Sequence, residues 1–258
     1  MNEIHPTAIV SPKAELGDHN IIGPFSIIGS QVKMGNNNNL HSSVILDGNT
    51  VIGDGNEVFH SAVIGTDSQD LKYKGEDTRL EIGDYNRIRE FVTINKSATL
   101  DEPTVLGSNC LLMAYSHVAH NCSVGSNVII ANSVNLAGHI KIEDFVTIGG
   151  ASAISQFVRI GSYAFIGGVS GIQKDIPPYT RGIGLPYRVI GINSVGLQRH
   201  GFSEAERQGI KEIFKIFYLS NLNVSQALEK IEKMNDLTVQ QQYFIEFVKT
   251  SERGICRG

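Results

Sequence analysis

The sequence predicts a mainly β chain, a parallel β-helix of hexapeptide repeats followed by a small α-helical domain. Three observations predict it. An aliphatic residue recurs every six positions through most of the chain, a residue that is usually small or β-branched follows four positions later, and beyond residue 202 this period gives way to helix caps and helical apolar spacing.

The six-residue step begins at Ile4 and runs through Val10, Leu16, Ile22, Ile28, Met34, Leu40, Leu46, Ile52, Val58 and Ile64. It breaks at Thr66 to Arg79, resumes at Ile82, Ile88 and Ile94, and breaks again at Asp101-Glu102-Pro103. A third run goes from Leu106 through Val118, Val124 and Leu136 to Ile172, with Cys110, Ser116, Cys122 and Val128 among the companion positions. Each hexad reads as a short strand and a turn, with the aliphatic and its companion inward. No single coil buries its own inner face, so stacking supplies the core. Gly and Asn are expected at the corners, because both tolerate positive φ. Cys110 and Cys122 then read as core fillers rather than nucleophiles.

Past Ile176-Pro177-Pro178 the repeats end. The expected organisation is a β-helix over 1–178 with an extruded loop at 66–79, a Gly-rich connector over 179–202 and a helical domain over 203–258. Ser203-Glu204-Ala205-Glu206 is a capping box that starts a helix with the apolar face Ile210, Ile213, Phe214 and Phe217. Ser225 is expected to cap a second helix carrying Leu228 and Ile231, and Thr238 a third carrying Phe244, Ile245 and Val248. The aromatics here read as packing, not as a cofactor box.

A formal net charge of −4 gives no basic field for nucleic acid. The N-terminus lacks the basic and apolar regions of a signal peptide, and no apolar run approaches the length of a membrane span. The three cysteines have no metal-type spacing. A cytoplasmic protein is expected, with no membrane insertion.

Chemistry concentrates in Ser116-His117-Val118-Ala119-His120-Asn121 and Leu136-Ala137-Gly138-His139. The pattern resembles hexapeptide-repeat proteins, in which three hexads close a coil of eighteen residues, wound left-handed. One such coil beyond His120 is Gly138, beside His139, and one more is Gln156. These residues should share one edge of the prism, with the histidines outward and His117 nearer a neighbouring face. A lone surface His is usually only solvated; two at coil spacing beside Gly raise the prospect of a site. Three readings stay open. One is acyl transfer with a His base and a backbone N–H oxyanion donor. Another is a metal site built from His117, His120 and His139, as in hexapeptide-repeat carbonic anhydrases. The third is a scaffold without catalysis.

Further motifs narrow the choice. Ile4-His5-Pro6-Thr7-Ala8, Gln69-Asp70-Leu71-Lys72-Tyr73, the Gly83–Glu90 run, His117-Val118-Ala119-His120, Leu136-Ala137-Gly138-His139, Gln156-Phe157, Asp175-Ile176-Pro177-Pro178-Tyr179 and Arg199-His200-Gly201-Phe202-Ser203 resemble the UDP-N-acetylglucosamine O-acyltransferases of lipid A synthesis. The resemblance spans essentially the whole chain. It implies a homotrimer with sites between subunits, acyl carrier protein as donor of a (R)-3-hydroxyacyl chain, UDP-N-acetylglucosamine as acceptor at its 3-OH, and no metal or other cofactor. It implies His120 as general base and Gly138 N–H as oxyanion donor. Asp70 would read the acyl 3-hydroxyl, Lys72, His117, His139 and Gln156 would position substrate, Asn193 and Arg199 would contact the nucleotide, and Gly168 would sit in the acyl groove. Ser155 stands where the family often has His, Asn121 where it often has Asp, Val195 where it has an acid near the uracil, and His200 in place of one of two paired arginines. An N-acyltransfer to a 3-amino UDP-sugar is the alternative within the same mechanism. The related N-acyltransferase carries a separate uridine-binding domain before its hexads, whereas the repeats here begin at Ile4.

Overall fold

The computed structural model describes residues 1–257 as a left-handed parallel β-helix with four helices after it. Most strands are only two residues long. Glu3 and Ile4 pair with Ile21 and Ile22, which pair in turn with Asn39 and Leu40, so the coil spacing is eighteen residues. The strands stack into three faces, here A, B and C, of eleven, nine and eight strands. A hairpin of Thr180–Ile183 and Arg188–Ile192 adds the last two strands of face A, one parallel and one antiparallel. The first part of the connector therefore extends face A.

The aliphatic column is the core. Ile22, Leu40, Val58, Ile88, Leu112, Ile130, Ile148 and Ile166 are all at most 1% exposed. The Glu3–Ile4 strand is the end strand of face A, and Ile4 is 46% exposed there. The companion position departs from the expected small residues in the first half of the chain. Asn20, Asn38, Asn56 and Asn86 occupy it in successive coils, all buried. Each Asn Oδ1 accepts the backbone N–H of the next rung, and the Asn86 Oδ1 passes the ladder to the Cys110 N–H. The polar side chains are tolerated because every rung is hydrogen-bonded. Cys110 and Cys122 are buried as expected, and burial pushes their thiols up to about 11 and about 12.

Corners with positive φ hold more than Asn and Gly. Phe91 and Tyr115, His139 and Phe157, and Phe145 and Tyr163 occupy left-handed positions and stack in pairs at 4.9, 4.8 and 4.8 Å between ring centroids. Stacking between coils offsets the backbone strain that a non-Gly residue carries there. The Gly that often follows the aliphatic serves close approach instead: a Cβ on Gly53 would sit 2.1 Å from Asp84 Oδ1.

Two excursions interrupt the coil. Arg79 pairs with Asn49, thirty residues back, and Val105 pairs with Ser123 but lies twenty-four residues beyond Glu81. The insertions are thus twelve and six residues longer than the regular coil. They are tied together. The Thr78 hydroxyl donates to Ser97 O, the Ser97 N–H donates to Arg79 O at 3.1 Å, Asn95 Nδ2 donates to Asp67 O at 2.8 Å, and Lys96 Nζ lies 3.0 Å from Asp67 Oδ1.

Beyond the hairpin, α1 (Ser194–Arg199) was not anticipated by the helical spacing; it lies inside the connector. Helix α2 (Glu204–Leu219) carries the expected Ser203–Glu206 capping box and buries Ile210, Ile213, Phe214 and Phe217. Helix α3 (Val224–Glu232) is capped by Asn223 with Gln226, two residues before Ser225. Its box needs an acceptor at N3 that reaches back, and Gln226 meets that from Asn223. Helix α4 (Val239–Lys249) starts at Thr238 as expected and buries Phe244, Ile245 and Val248. Among the described residues no helix is long and apolar enough to cross a membrane.

Candidate active site

His120, Gly138 and Gln156 follow one another along the corner between faces B and C, each one coil above the last. The turn of each coil is pinned to the next by the His139 N–H donating to His120 O at 3.1 Å and the Phe157 N–H donating to Gly138 O at 3.3 Å. His120 points away from the prism but is not exposed; it is 6% accessible, because the two excursions fold over it. A Cβ on Gly138 would lie 2.4 Å from His120 Cε1 and 2.6 Å from its Nε2, so only Gly lets the backbone come this close to the imidazole. Among the described residues the Gly138 N–H donates to no backbone carbonyl.

The Asn121 carboxamide sets the imidazole. Its Nδ2 donates to Ser97 Oγ at 2.7 Å and to Thr99 Oγ1 at 2.9 Å. Its Oδ1 accepts the Ala98 N–H at 3.0 Å and faces His120 Nδ1 at 3.0 Å. A backbone N–H can only donate, so Oδ1 is the acceptor end, and His120 Nδ1 carries the proton. That tautomer leaves the lone pair on Nε2, which lies 4.0 Å from Asp70 Oδ2.

Asp70 comes from the first excursion. The Lys72 backbone N–H, 2.9 Å from Asp70 Oδ1, lowers its pKa most, and His120 and the Lys72 charge lower it further against the cost of burial. The Lys72 ammonium itself is exposed. At the base of the excursion Lys96 is buried; burial pulls its pKa down, and the Tyr73 and Asp67 side chains outweigh that and raise it.

His139 sits beside Gly138, edge-on to His120 with centroids 5.3 Å apart and stacked on Phe157. Burial lowers its pKa first and the His120 neighbour lowers it further. His117 is elsewhere. It lies on face B with Nδ1 2.7 Å from Thr93 Oγ1, and burial lowers its pKa too. Among the described residues, the trio whose ligand atoms converge, all within 4.8 Å, is Asp70, His120 and His139. This corrects the set of three histidines expected for a metal, and it supplies the carboxylate that reasoning from spacing alone did not find. The signal was present: the excursion starts one strand of face B before the His117 strand's neighbour, so it emerges at the same corner.

The remaining candidates lie on other edges. Asn193 caps α1 at the corner between faces C and A, where its Oδ1 accepts the Gly196 N–H and its Nδ2 donates to Tyr163 O at 2.9 Å. That capping role was missed in the sequence. Arg199 is exposed at the other end of α1, and His200 packs on Phe145 at 4.9 Å. Gly168 lies at the corner between faces A and B, where a Cβ would meet Gly150 O at 3.1 Å. So one chain brings Asp70, His120, Gly138 and His139 together, with Gln156 exposed above them, and holds Asn193, Arg199 and Gly168 apart. A cleft of about 610 Å³ opens beside this cluster, running from Asn121 and His139 past Lys141 and Arg159 to Thr250.

Comparison with known proteins is consistent across the chain. Residues 103–138 match the family described as bacterial transferase hexapeptide (six repeats), and residues 175–256 match the second domain of UDP-N-acetylglucosamine O-acyltransferase. The acyl-[acyl-carrier-protein]–UDP-N-acetylglucosamine O-acyltransferase of Thermodesulfovibrio yellowstonii is 45% identical over 258 residues, covering 100% of both chains. The enzyme of the same name from Herminiimonas arsenicoxydans is 44% identical over 262 residues, again with 100% of both covered. Among solved structures, the UDP-N-acetylglucosamine acyltransferase of Francisella novicida superposes with a TM-score of 0.95 at 38% identity, over 99% of this chain and 94% of that one. The O-acyltransferase of Moraxella catarrhalis gives 0.94 at 40%, over 98% and 99%.

Proposed function

The chain belongs to the UDP-N-acetylglucosamine O-acyltransferases, and from that premise we propose that it moves a (R)-3-hydroxyacyl chain from acyl carrier protein to the 3-OH of UDP-N-acetylglucosamine, the first step of lipid A synthesis. The observation that carries the mechanism is the meeting of a free His120 Nε2 with the Gly138 backbone at one corner. A sugar hydroxyl is a weak nucleophile at neutral pH. Nε2 takes its proton as the oxygen attacks the thioester carbonyl. The carbonyl oxygen becomes an oxyanion, and the Gly138 N–H stabilises it from a fixed position. Collapse forms the ester and breaks the carbon–sulfur bond, and the departing thiolate takes the proton back from His120. The balance closes with one ester formed and one carrier thiol released. In this account no metal takes part.

Asp70 hydrogen-bonds the acyl 3-hydroxyl, Lys72, His117, His139 and Gln156 position the substrates, and Asn193 and Arg199 hold the nucleotide. The last two and Gly168 lie on different corners from His120, which supports a homotrimer in which neighbouring chains complete each cleft. A stripe of exposed apolar corner residues, Phe25, Phe91, Tyr115 and Val169, at 47 to 70% exposure, is available for such contacts. A cytoplasmic location belongs to the same reading, in keeping with a donor chain carried on acyl carrier protein.

Mass spectrometry of the product from a panel of 3-hydroxyacyl carrier proteins and UDP-sugars tests the reading. The expected product is an O-acyl ester, cleaved by mild base. A base-stable amide formed only from a 3-amino UDP-sugar would establish the alternative acceptor instead.

A further inference from the structure

We propose that Asp70, His120 and His139 also form a transition-metal site, and that Zn²⁺ held there switches acyl transfer off. Their ligand atoms lie within 4.8 Å of one another, and His120 Nε2 and Asp70 Oδ2 are 4.0 Å apart. A zinc ion bonds such atoms at about 2.0–2.2 Å in a tetrahedron, which asks for a small inward movement of Asp70. Asp70 is on an excursion and half-buried, so that movement disturbs no core packing.

The same contacts that prepare the base also prepare a ligand. A metal-binding imidazole typically donates its second N–H to an oxygen that fixes its tautomer and direction. His120 does this to Asn121 Oδ1, and Asn121 is itself held by Ser97, Ala98 and Thr99. The His139 ring is fixed in plane by its stack on Phe157. Two imidazoles and one carboxylate suit Zn²⁺ or Co²⁺ and not Mg²⁺ or Ca²⁺. His117 takes no part, being turned to Thr93. The fourth position faces the cleft and takes a water. A metal bound here occupies the lone pair that removes the sugar proton, so it inhibits rather than activates. Only this inhibitory half rests on the proposed reaction.

The test uses the full-length protein after chelation, with Co²⁺ alone as the binding probe read by its visible absorption, and acyl transfer measured separately. Wild type should show a tetrahedral Co²⁺ spectrum. Asp70→Asn and His139→Ala should each weaken Co²⁺ binding at least about tenfold, since even an outer partner of a ligand costs that much. The double variant His41→Ala, His60→Ala removes the other histidine pair, whose rings are 5.0 Å apart, and should bind as wild type does. Zn²⁺ should abolish turnover, EDTA should restore it, and Mg²⁺ should do nothing. Unchanged Co²⁺ binding in Asp70→Asn or His139→Ala, or undiminished turnover with the site saturated by Zn²⁺, would overturn the proposal. A Co²⁺ spectrum that needs Asp70 and His139, in a protein inactive toward every acyl carrier tested, would support the site while refuting the proposed reaction.

Discussion

The Asn121 Oδ1, 3.0 Å from His120 Nδ1, holds the imidazole in the tautomer that acid–base chemistry at Nε2 requires. The amide is not free to reverse, because the Ala98 N–H on Oδ1 and the hydroxyls of Ser97 and Thr99 on Nδ2 fit one orientation. Asn121→Ala should therefore lower kcat by about tenfold or more, a share of the roughly 10²–10⁴-fold that a positioned base contributes. Asn121→Asp should keep the tautomer and add a negative charge beside Nδ1. The acid limb of its kcat/KM profile should move to higher pH, since a carboxylate favours the imidazolium. An Ala variant with wild-type kcat, or an Asp variant with an unmoved limb, would show that Asn121 does not act through His120.

The Asn ladder predicts a stability effect remote from the site. Asn56 is 1% exposed, and its Oδ1 accepts both the N–H and Nδ2 of Asn86. Asn56→Ala leaves that buried N–H without an acceptor and should cost about 1–3 kcal/mol, read as a lower urea midpoint. An unchanged midpoint would mean that the rungs are independent of one another.

How much of this was legible in the sequence differs by element. The core column from Ile22 to Ile172 was, because a six-residue period in aliphatics has one structural meaning. Gly138 above His120 was, because the coil length converts sequence distance into height. The Asn ladder was not: Asn20, Asn38, Asn56 and Asn86 share the inward position, but a buried Asn is stable only with its partners above and below, which pattern alone does not supply. The corner Asp70 reaches was legible from where its excursion leaves face B, but its closeness to His120 was not, because no period describes the path of the excursion. Asn223 rather than Ser225 caps α3, since two good capping residues stood two positions apart and the reciprocal partner Gln226 decided between them.

The histidines give a pH dependence of stability. Burial lowers the pKa of His117, so the unfolded chain takes up a proton more readily than the folded one. Its contribution is fully present above the unfolded value of about 6.5 and is lost as pH falls below it. Urea midpoints between pH 7.5 and 5.5 should decline less steeply in His117→Gln than in wild type. Parallel curves would remove His117 as a cause.

Gly168 should limit the acyl chain only when it is enlarged. Its Cβ position is 3.1 Å from Gly150 O, so a bulky side chain there is forced out into the space beside the corner. Gly168→Met should shift preference toward shorter 3-hydroxyacyl donors, by an overpacking cost of about 1–3 kcal/mol against the longer ones. The ratio of kcat/KM across chain lengths measures this, and an unchanged ratio would place the acyl groove elsewhere.

The central claim is that His120 is the base and His139 a positioning residue. Steady-state kinetics of His120→Ala and His139→Ala, on samples whose assembly state matches wild type by sedimentation, test it most directly. The account predicts that His120→Ala lowers kcat by about 10²–10⁴-fold, while His139→Ala acts mainly through KM. Near-normal kcat in His120→Ala together with loss of turnover in His139→Ala would contradict it.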